Sequence, residues 1–327
     1  MLLPDSSADS GETSASGASD VLGCHRVVVP LDGSDLAEQA LPYAEVLTRL
    51  TGAPLHLVRV IDPAHLGTPL GALLSSDALT LALLLEDERM AARDSLEHVA
   101  QDLSDRGQEV TVEYRQGLAA DEMLAATRPG DLLVMVSHGR GGLGRWFLGS
   151  VAEAVIRRAT VPVFLVRASE TSASSPAVQR IVVPLDGSAL AEEALPTARA
   201  LAERLHVPVH LLTVIHVSAG TALELATAAV SASRLEETLI RLFTEAETCL
   251  ANADERVRQS GVTVTTEVRH GSPGPTIVDA TQPGDLIVMT SHGHSGFARW
   301  MLGSVAEAVV RRSTVPVLLV RAEAREA

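Results

Sequence analysis

The chain has 327 residues, of which 46% are hydrophobic, 20% charged and only 2% aromatic, and its formal net charge is −15. This length allows two domains, each with its own core, and those cores must be built from aliphatic side chains. The acidic balance argues against binding to nucleic acid or to an anionic membrane surface, because both partners require a basic face.

The beginning of the chain predicts a disordered arm over residues 1–22, which are rich in Ser, Asp, Gly and Ala. It shows no basic segment followed by an apolar run, so we expect no signal peptide. The longest apolar run, at residues 79–85, is far below the ~20 residues of a spanning helix. The two cysteines, Cys24 and Cys249, form no CxxC motif and favour a reducing compartment. We therefore expect a cytoplasmic protein.

An internal repeat organises the rest of the chain. The segment Arg26-Val-Val-Val-Pro-Leu-Asp-Gly-Ser34 returns as Arg180-Ile-Val-Val-Pro-Leu-Asp-Gly-Ser188, an offset of 154 residues that Gly149 and Gly303 share. The repeat predicts a first domain over 23–168, a polar linker over 169–178 and a second domain over 179–323.

Strands and helices alternate within each repeat. In the first repeat we predict strands at 27–31, 55–61, 110–115, 132–136 and 163–167, and helices at 34–50, 77–106, 121–127 and 150–159. Pro42 inside the first helix predicts a kink there. Alternation of this kind predicts an α/β fold, in which each repeat is an open doubly wound, five-stranded parallel sheet with helices on both faces. Ligands bind such sheets beyond the carboxyl ends of the strands, here those of the first and fourth strands.

A glycine loop follows the fourth strand in both repeats. It reads Ser137-His-Gly-Arg-Gly-Gly-Leu-Gly-Arg-Trp-Phe-Leu-Gly-Ser-Val151 and returns as Ser291-His-Gly-His-Ser-Gly-Phe-Ala-Arg-Trp-Met-Leu-Gly-Ser-Val305. Glycines let backbone amides approach a ligand closely, and the free amides at a helix start favour a phosphate. The loop therefore predicts a phosphate site.

Several alternatives to ligand binding stay open for these residues. Ser150-Val-Ala-Glu153 fits a capping box, which can coexist with a phosphate contact. Asp32 is either an ordinary turn residue or a contact to a base or ribose. His138 is either a structural histidine or a phosphate contact. We see no nucleophile motif, paired carboxylates or metal cluster that predicts catalysis.

With these motifs the chain resembles the universal stress protein family in its tandem form. The nucleotide signature of that family is Gly-x2-Gly-x9-Gly-[Ser/Thr]. Gly139 and Gly149-Ser150 match its later part, as do Gly293 and Gly303-Ser304. The strand ending in Pro30-Leu-Asp32 is also similar to the family. The resemblance covers residues 25–168 and 179–322 and implies two Rossmann-like domains of the adenine-nucleotide alpha hydrolase type.

The resemblance implies ATP as the ligand, often accompanied in the family by Mg²⁺ on the phosphates. The implied adenine and ribose contacts are Pro30, Asp32, Val60 and Met135 in the first copy, and Pro184, Asp186, Val214 and Met289 in the second. The implied phosphate contacts are His138, Gly139, Gly149, Ser150 and Val151, then His292, Gly293, Gly303, Ser304 and Val305. Val136 and Thr290 replace the first signature glycine, and we expect their side chains to stand close to the nucleotide.

The resemblance also implies pairing through the last strands, Val163-Phe-Leu-Val-Arg167 and Val317-Leu-Leu-Val-Arg321. Both are apolar edges that should not stay exposed, so we predict an intrachain pseudo-dimer, with a further homodimer left open. The leading functional hypothesis is a stress protein that holds ATP as a regulatory or signalling ligand. The alternatives are a slow ATPase or nucleotidyl enzyme, for which only His138 and His292 are placed, and a scaffold that binds no nucleotide.

Overall fold

The computed structural model describes residues 23–62, 78–137, 148–167, 177–216, 232–291 and 302–321. The predicted N-terminal arm, most of the predicted linker and the inner parts of both glycine loops lie outside these residues. Among the described helices, none combines the length and the apolar composition needed to cross a membrane.

The two halves contain the same elements in the same order. In the first half these are β1 (Arg26–Pro30), α1 (Asp35–Glu38), α2 (Leu41–Thr51), β2 (Leu55–Ile61), α3 (Ala78–Asp105), β3 (Val110–Gln116), α4 (Ala119–Ala125), β4 (Asp131–Val136), α5 (Ser150–Arg158) and β5 (Val163–Val166). In the second half they are β6 (Arg180–Leu185), α6 (Ala189–Glu192), α7 (Ala194–Leu205), β7 (Val209–Ile215), α8 (Ala232–Arg258), β8 (Val264–His270), α9 (Pro273–Asp279), β9 (Asp285–Thr290), α10 (Ser304–Arg312) and β10 (Val317–Val320).

The helix predicted over residues 34–50 is two helices, so the expected kink at Pro42 is wrong. The regular helix is interrupted by a turn at Gln39–Ala40, whose backbone stays in the right-handed helical region, and Pro42 lies in the first turn of α2. The amide that proline lacks would have no intrahelical partner in that turn, so the residue begins a helix without cost. Pro196 also lies in the first turn of its helix, as the third residue of α7.

The described strands form one ten-stranded sheet in the order β3-β2-β1-β4-β5-β10-β9-β6-β7-β8. The five strands of each half are parallel to one another, as predicted. The halves join where β5 and β10 pair antiparallel, with Leu318 opposite Phe164. The predicted pairing of the last strands is thus confirmed, and it turns two five-stranded sheets into one.

Side chains alternate between the two faces of this sheet and build a core cluster on each. The α2 face, named after the helix that covers it, takes Val27 and Val29 of β1 and also packs α3, α7 and α8. The α5 face takes Val28 and packs α5 and α10. Each cluster contains residues from both halves, so the cores of the two halves are continuous.

A bidentate ion pair fixes β1 beside β4 at their amino ends. Arg26 Nη2 lies 2.6 Å from Asp131 Oδ2, and Arg26 Nε donates to Asp131 Oδ1 at 3.1 Å. Arg180 and Asp285 repeat this pair in the second half. Because strand order reverses between β1 and β4, their carboxyl ends border the crevice in which such sheets bind ligands.

Candidate functional site

Three apolar residues predicted to contact adenine or ribose lie on one face of the sheet. Val28 of β1 is level with Leu133 of β4, so Pro30 and Met135 stand side by side at the carboxyl ends. Met135 belongs to the α5-face cluster, and Val60 of β2 packs against it. By the alternation of β1, Pro30 shares this face with Val28. The second half repeats the arrangement with Pro184, Val214 and Met289.

Asp32 forms the turn that follows β1. Its Oδ1 accepts hydrogen bonds from Ser34 N at 2.9 Å and from Ser34 Oγ at 2.5 Å. Gly33 between them has φ +73°, a conformation that favours glycine. Ser34 in turn caps α1 by accepting from Ala37 N at 3.2 Å. The turn role is therefore present, and within the described residues Oδ2 of Asp32 accepts no hydrogen bond.

The second half builds the same turn at Asp186. Its Oδ1 accepts from Ser188 N at 3.0 Å and from Ser188 Oγ at 2.5 Å, and Gly187 has φ +80°. The surroundings differ, because the Arg59 guanidinium packs over Gly33, whereas no atom of the described residues lies within 4 Å of a Cβ built on Gly187. The two crevices are thus alike in backbone and unlike in side chains.

Backbone hydrogen bonds join the two ends of each glycine loop. Gly149 N donates to Ser137 O at 3.0 Å, and Ser137 N donates to Val166 O at 2.9 Å. Gly303 and Ser291 repeat the first bond at 2.8 Å. These bonds bring the start of α5 to the carboxyl end of β4, as the predicted phosphate site requires. The predicted contacts inside the loops lie outside the described residues, namely His138, Gly139, His292 and Gly293.

Helix α5 begins without a side-chain cap. Its N-cap is Gly149, and Ser150 is the first helical residue, with no side chain bonded to the helix start. The interpretation of Ser150-Val-Ala-Glu153 as a capping box is therefore wrong, because the residue at the capping position has no hydroxyl. The first bond into the helix is Glu153 N to Gly149 O at 2.8 Å.

The amides ahead of that bond, those of Ser150, Val151 and Ala152, meet no acceptor among the described residues. Ser150 itself is exposed. Helix α10 repeats this start, with Gly303 as its N-cap. Open amides at the positive end of a helix dipole are a general anion site.

Val136 and Thr290 are placed differently from the expectation. Val136 is 7% exposed and belongs to the α2-face cluster, on the opposite side of β4 from Met135. Thr290 is 5% exposed and follows Met289 in β9. Because the site residues share the α5 face, these side chains point into the core and away from the crevice.

A polar group between β2 and β3 received no role from the sequence. His56 lies within 2.8 Å of Thr111 Oγ1 through Nδ1 and within 2.9 Å of Glu113 Oε2 through Nε2. Burial lowers the pKa of His56 below its ordinary value, although the hydrogen bond that His56 donates to Glu113 acts to raise it. His210, Thr265 and Glu267 repeat the group. Its signal in the sequence is the repeat offset of 154 residues, which His56 and His210 share.

The described residues offer no cluster of three or more His, Cys, Asp or Glu side chains that could hold a metal ion.

The chain is similar to known proteins over most of its length. The model of the Universal stress protein family matches residues 23–167 and again residues 177–321. A universal stress protein of Mycolicibacterium smegmatis is 28% identical over 300 residues, which cover 90% of this chain and 96% of that protein. A universal stress protein of Mycobacterium tuberculosis is 29% identical over 303 residues, covering 91% of this chain and 97% of that protein.

Among solved structures, a universal stress protein from Archaeoglobus fulgidus superimposes on this chain with a TM-score of 0.64. The two are 21% identical, and the match covers 91% of this chain and 98% of that one. At this identity the likeness concerns the fold.

Proposed function

The chain belongs to the universal stress protein family, and on that basis we propose that each half binds ATP as a regulatory or signalling ligand in a stress response. The observation that carries the proposal is the open start of α5 and α10. In both helices glycine replaces a capping side chain, although α1 and α6 in the same chain are capped by serine. A capping hydroxyl would occupy one of the amides that a phosphate needs.

The proposed adenine and ribose positions fit the apolar trio at the carboxyl ends of the strands. Pro30, Val60 and Met135 offer a hydrophobic wall for a base, and Oδ2 of Asp32 offers an acceptor for ribose hydroxyls. In the second half the corresponding residues are Pro184, Val214, Met289 and Asp186.

The proposed phosphate positions combine backbone and hydroxyl donors. The amides of Ser150 and Val151 point along the axis of α5, and the exposed Ser150 hydroxyl adds a donor. His138 and Gly139 complete the set by the family pattern, as do His292, Gly293, Gly303, Ser304 and Val305 in the second half. Magnesium bridged by the phosphates suits a site with no carboxylate cluster among its described residues.

The wider assignment is also a proposal. We place the functional units at residues 23–168 and 179–323 and the protein in the cytoplasm, where its two cysteines would stay reduced; both are unpaired, and Cys24 is buried.

The proposal is tested by denaturing the purified full chain, identifying the small molecules released, and titrating the ligand-free protein with ATP by calorimetry. We expect an adenine nucleotide to be released. Gly149→Val with Gly303→Val should weaken ATP binding at least about tenfold, because valine covers amides whose charge-assisted bonds contribute roughly 1.5–3 kcal/mol each.

The matched control is Thr160→Val with Thr314→Val, which places the same side chain at exposed positions beyond the other end of each helix. These variants should bind ATP like the wild type. A chain that releases no adenine nucleotide and shows no titratable affinity for ATP would instead be a scaffold without a nucleotide.

A further inference from the structure

Arg321 follows β10, and its guanidinium is buried at the boundary between the two halves. Its Nη1 donates to Ser291 Oγ at 2.9 Å, its Nε donates to Val161 O at 3.5 Å, and its Nη2 donates to Ile156 O. All three acceptors are neutral. Ile156 and Val161 belong to the first half, whereas Ser291 ends β9 of the second.

The charge of Arg321 has no counter-ion among the described residues, because no Asp or Glu there lies within ion-pair distance of it. Burial lowers the pKa of its guanidinium to about 10, so the group remains a cation at neutral pH. Burying a cation without an anion costs free energy that neutral carbonyls recover only in part. Such a group favours any anion that binds nearby.

The nearest ligand position is the start of α10. Ser291 accepts from Arg321 through Oγ, and its carbonyl accepts from Gly303 N at 2.8 Å. Gly303 is the N-cap of α10, so Ser291 connects the guanidinium to that helix start through two hydrogen bonds. Ser291 is fully buried, so little water separates the cation from that helix start.

We propose that Arg321 is the cation that makes the second site select a phosphorylated ligand over an uncharged nucleoside. The inference rests on the proposed function and adds the residue that sets its charge preference. Arg321 is a positioning residue, because it holds Ser291, which in turn holds the start of α10. Its positive electrostatic potential extends to the proposed phosphate position. In a chain with a net charge of −15, an anion needs such a local cation, and a low-dielectric surrounding strengthens its effect.

The first half carries Arg167 at the matching position after β5. Burial lowers the pKa of Arg167 as well, and burial is the cause in both halves. The first half thus repeats the arginine after its last strand and the desolvation of that arginine.

A purely structural role makes a different prediction. If Arg321 only ties the halves together through Ile156 and Val161, its loss lowers stability and leaves the preference for phosphate unchanged. The ratio of ATP affinity to adenosine affinity separates the two roles, because adenosine shares the base and ribose contacts but carries no charge.

The experiment uses the full chain with Gly149→Val, so that the second site alone is open, and measures ATP and adenosine affinities by calorimetry. Arg321→Met should lower the ratio of ATP to adenosine affinity about tenfold, the effect of one nearby charge at intermediate dielectric. Arg321→Lys keeps the charge and should keep the ratio within about threefold of the parent.

Arg204→Met is the matched control. Arg204 also donates to a carbonyl of the other half, Leu50 O at 3.3 Å, but from a helix of the α2 face. It should leave the ratio unchanged.

If Arg321→Met lowers the ATP and adenosine affinities by the same factor, the inference about Arg321 is overturned, but the proposal that the site binds a nucleotide is not. If Arg321→Met does not fold, Arg321→Gln removes the charge and keeps hydrogen-bond donors, and it should lower the ratio about tenfold as well; an unchanged ratio in Arg321→Gln overturns the inference. A parent chain that binds neither ATP nor inorganic triphosphate overturns the proposed function and the inference together.

Discussion

At the scale of single residues, side-chain direction along β4 separates packing from ligand contact. Met135 faces α5 and the crevice, whereas Val136, the next residue, is buried on the α2 face. Successive strand residues point to opposite sides of a sheet, so a valine at a family glycine position adds core packing without entering the crevice.

Replacing Val136 by glycine tests this placement. Val136→Gly should lower the free energy of unfolding by roughly 2–4 kcal/mol, because it removes a buried side chain and adds backbone entropy to a strand. Affinity for ATP should not change. Urea denaturation and calorimetry measure both quantities, and Val134→Ala, on the same face, reports the cost of a cavity alone. A marked gain in ATP affinity would mean that Val136 does obstruct the ligand.

At the scale of elements, helix starts divide into two kinds. Helices α1 and α6 follow a serine whose Oγ accepts from the helix, at 3.2 Å and 3.0 Å. Helices α5 and α10 follow glycines and leave their first amides open. Two of the four helices are therefore capped by their own serine side chain, whereas an external anion would stabilise the other two by accepting from their first amides.

A capping side chain at the start of α5 should stabilise the protein and weaken its binding of ATP. Gly149→Ser should raise the free energy of unfolding by a few tenths of a kcal/mol, the usual difference between serine and glycine at an N-cap. ATP affinity at the first site should fall, because the new hydroxyl accepts from the same amides. Thermal unfolding with and without ATP measures both changes, and a stabilised variant with unaltered ATP affinity would contradict the proposed site.

The polar groups between β2 and β3 make native stability depend on pH. Because burial lowers the pKa of His56 and His210 below the ordinary value of 6.5, the native histidines stay neutral. A neutral His56 donates from Nε2 to Glu113 and accepts the Thr111 hydroxyl at Nδ1. Arg26 and Asp131 also act on His56, the first lowering its pKa and the second raising it.

The histidine contribution to the free energy of unfolding should therefore be complete above about pH 6.5, the ordinary histidine pKa. It should decrease as the pH falls from there through the lowered native pKa values, because in this range the unfolded chain binds protons that the native state does not bind. His56→Gln with His210→Gln keeps a donor and an acceptor without a titrating group, so it should flatten this part of the profile. Urea midpoints measured across this range provide the comparison, and identical slopes in both proteins would rule the histidines out.

At the scale of the whole molecule, the halves are joined by more than the strand pair. Glu153 and Arg157 of α5 meet Glu307 and Arg311 of α10 in a ring of ion pairs, with N–O distances of 3.0 to 3.3 Å. These side chains are about one-third exposed, so each pair contributes little by itself. The larger contribution comes from the two core clusters, which run through both halves.

Shared cores predict one cooperative unfolding transition. Trp146 and Trp300 are the only tryptophans, one in each half, so Trp146→Phe and Trp300→Phe yield proteins with a single reporter. Their denaturation midpoints should coincide. Phe164→Ala, at the junction between β5 and β10, should shift both midpoints and cost about 3–5 kcal/mol. Two separated transitions would show that the halves unfold independently.

Local sequence patterns are enough to predict the order and the positions of the helices and strands. β2 was predicted to the residue and α3 to within one residue at each end, because apolar periodicity and turn residues are local properties of the chain. The offset of 154 residues predicted two equal halves, and the apolar last strands predicted their pairing. Much of the candidate crevice follows from the same source, since the ends of parallel strands meet at one edge.

Other features follow only from contacts in the folded chain: whether a side chain caps a helix, which face of the sheet it is buried on, and which charges surround it. Three examples are the N-cap at Gly149, the burial of Val136 on the α2 face and the position of Pro42 at the start of α2. Each depends on contacts with residues that a local sequence pattern does not identify. The buried Arg321 is the clearest case, because its acceptors lie 30 to 165 residues away along the chain. Local patterns fix where backbone turns helical or extended, whereas burial and charge environment depend on contacts that exist only after the two halves have packed together.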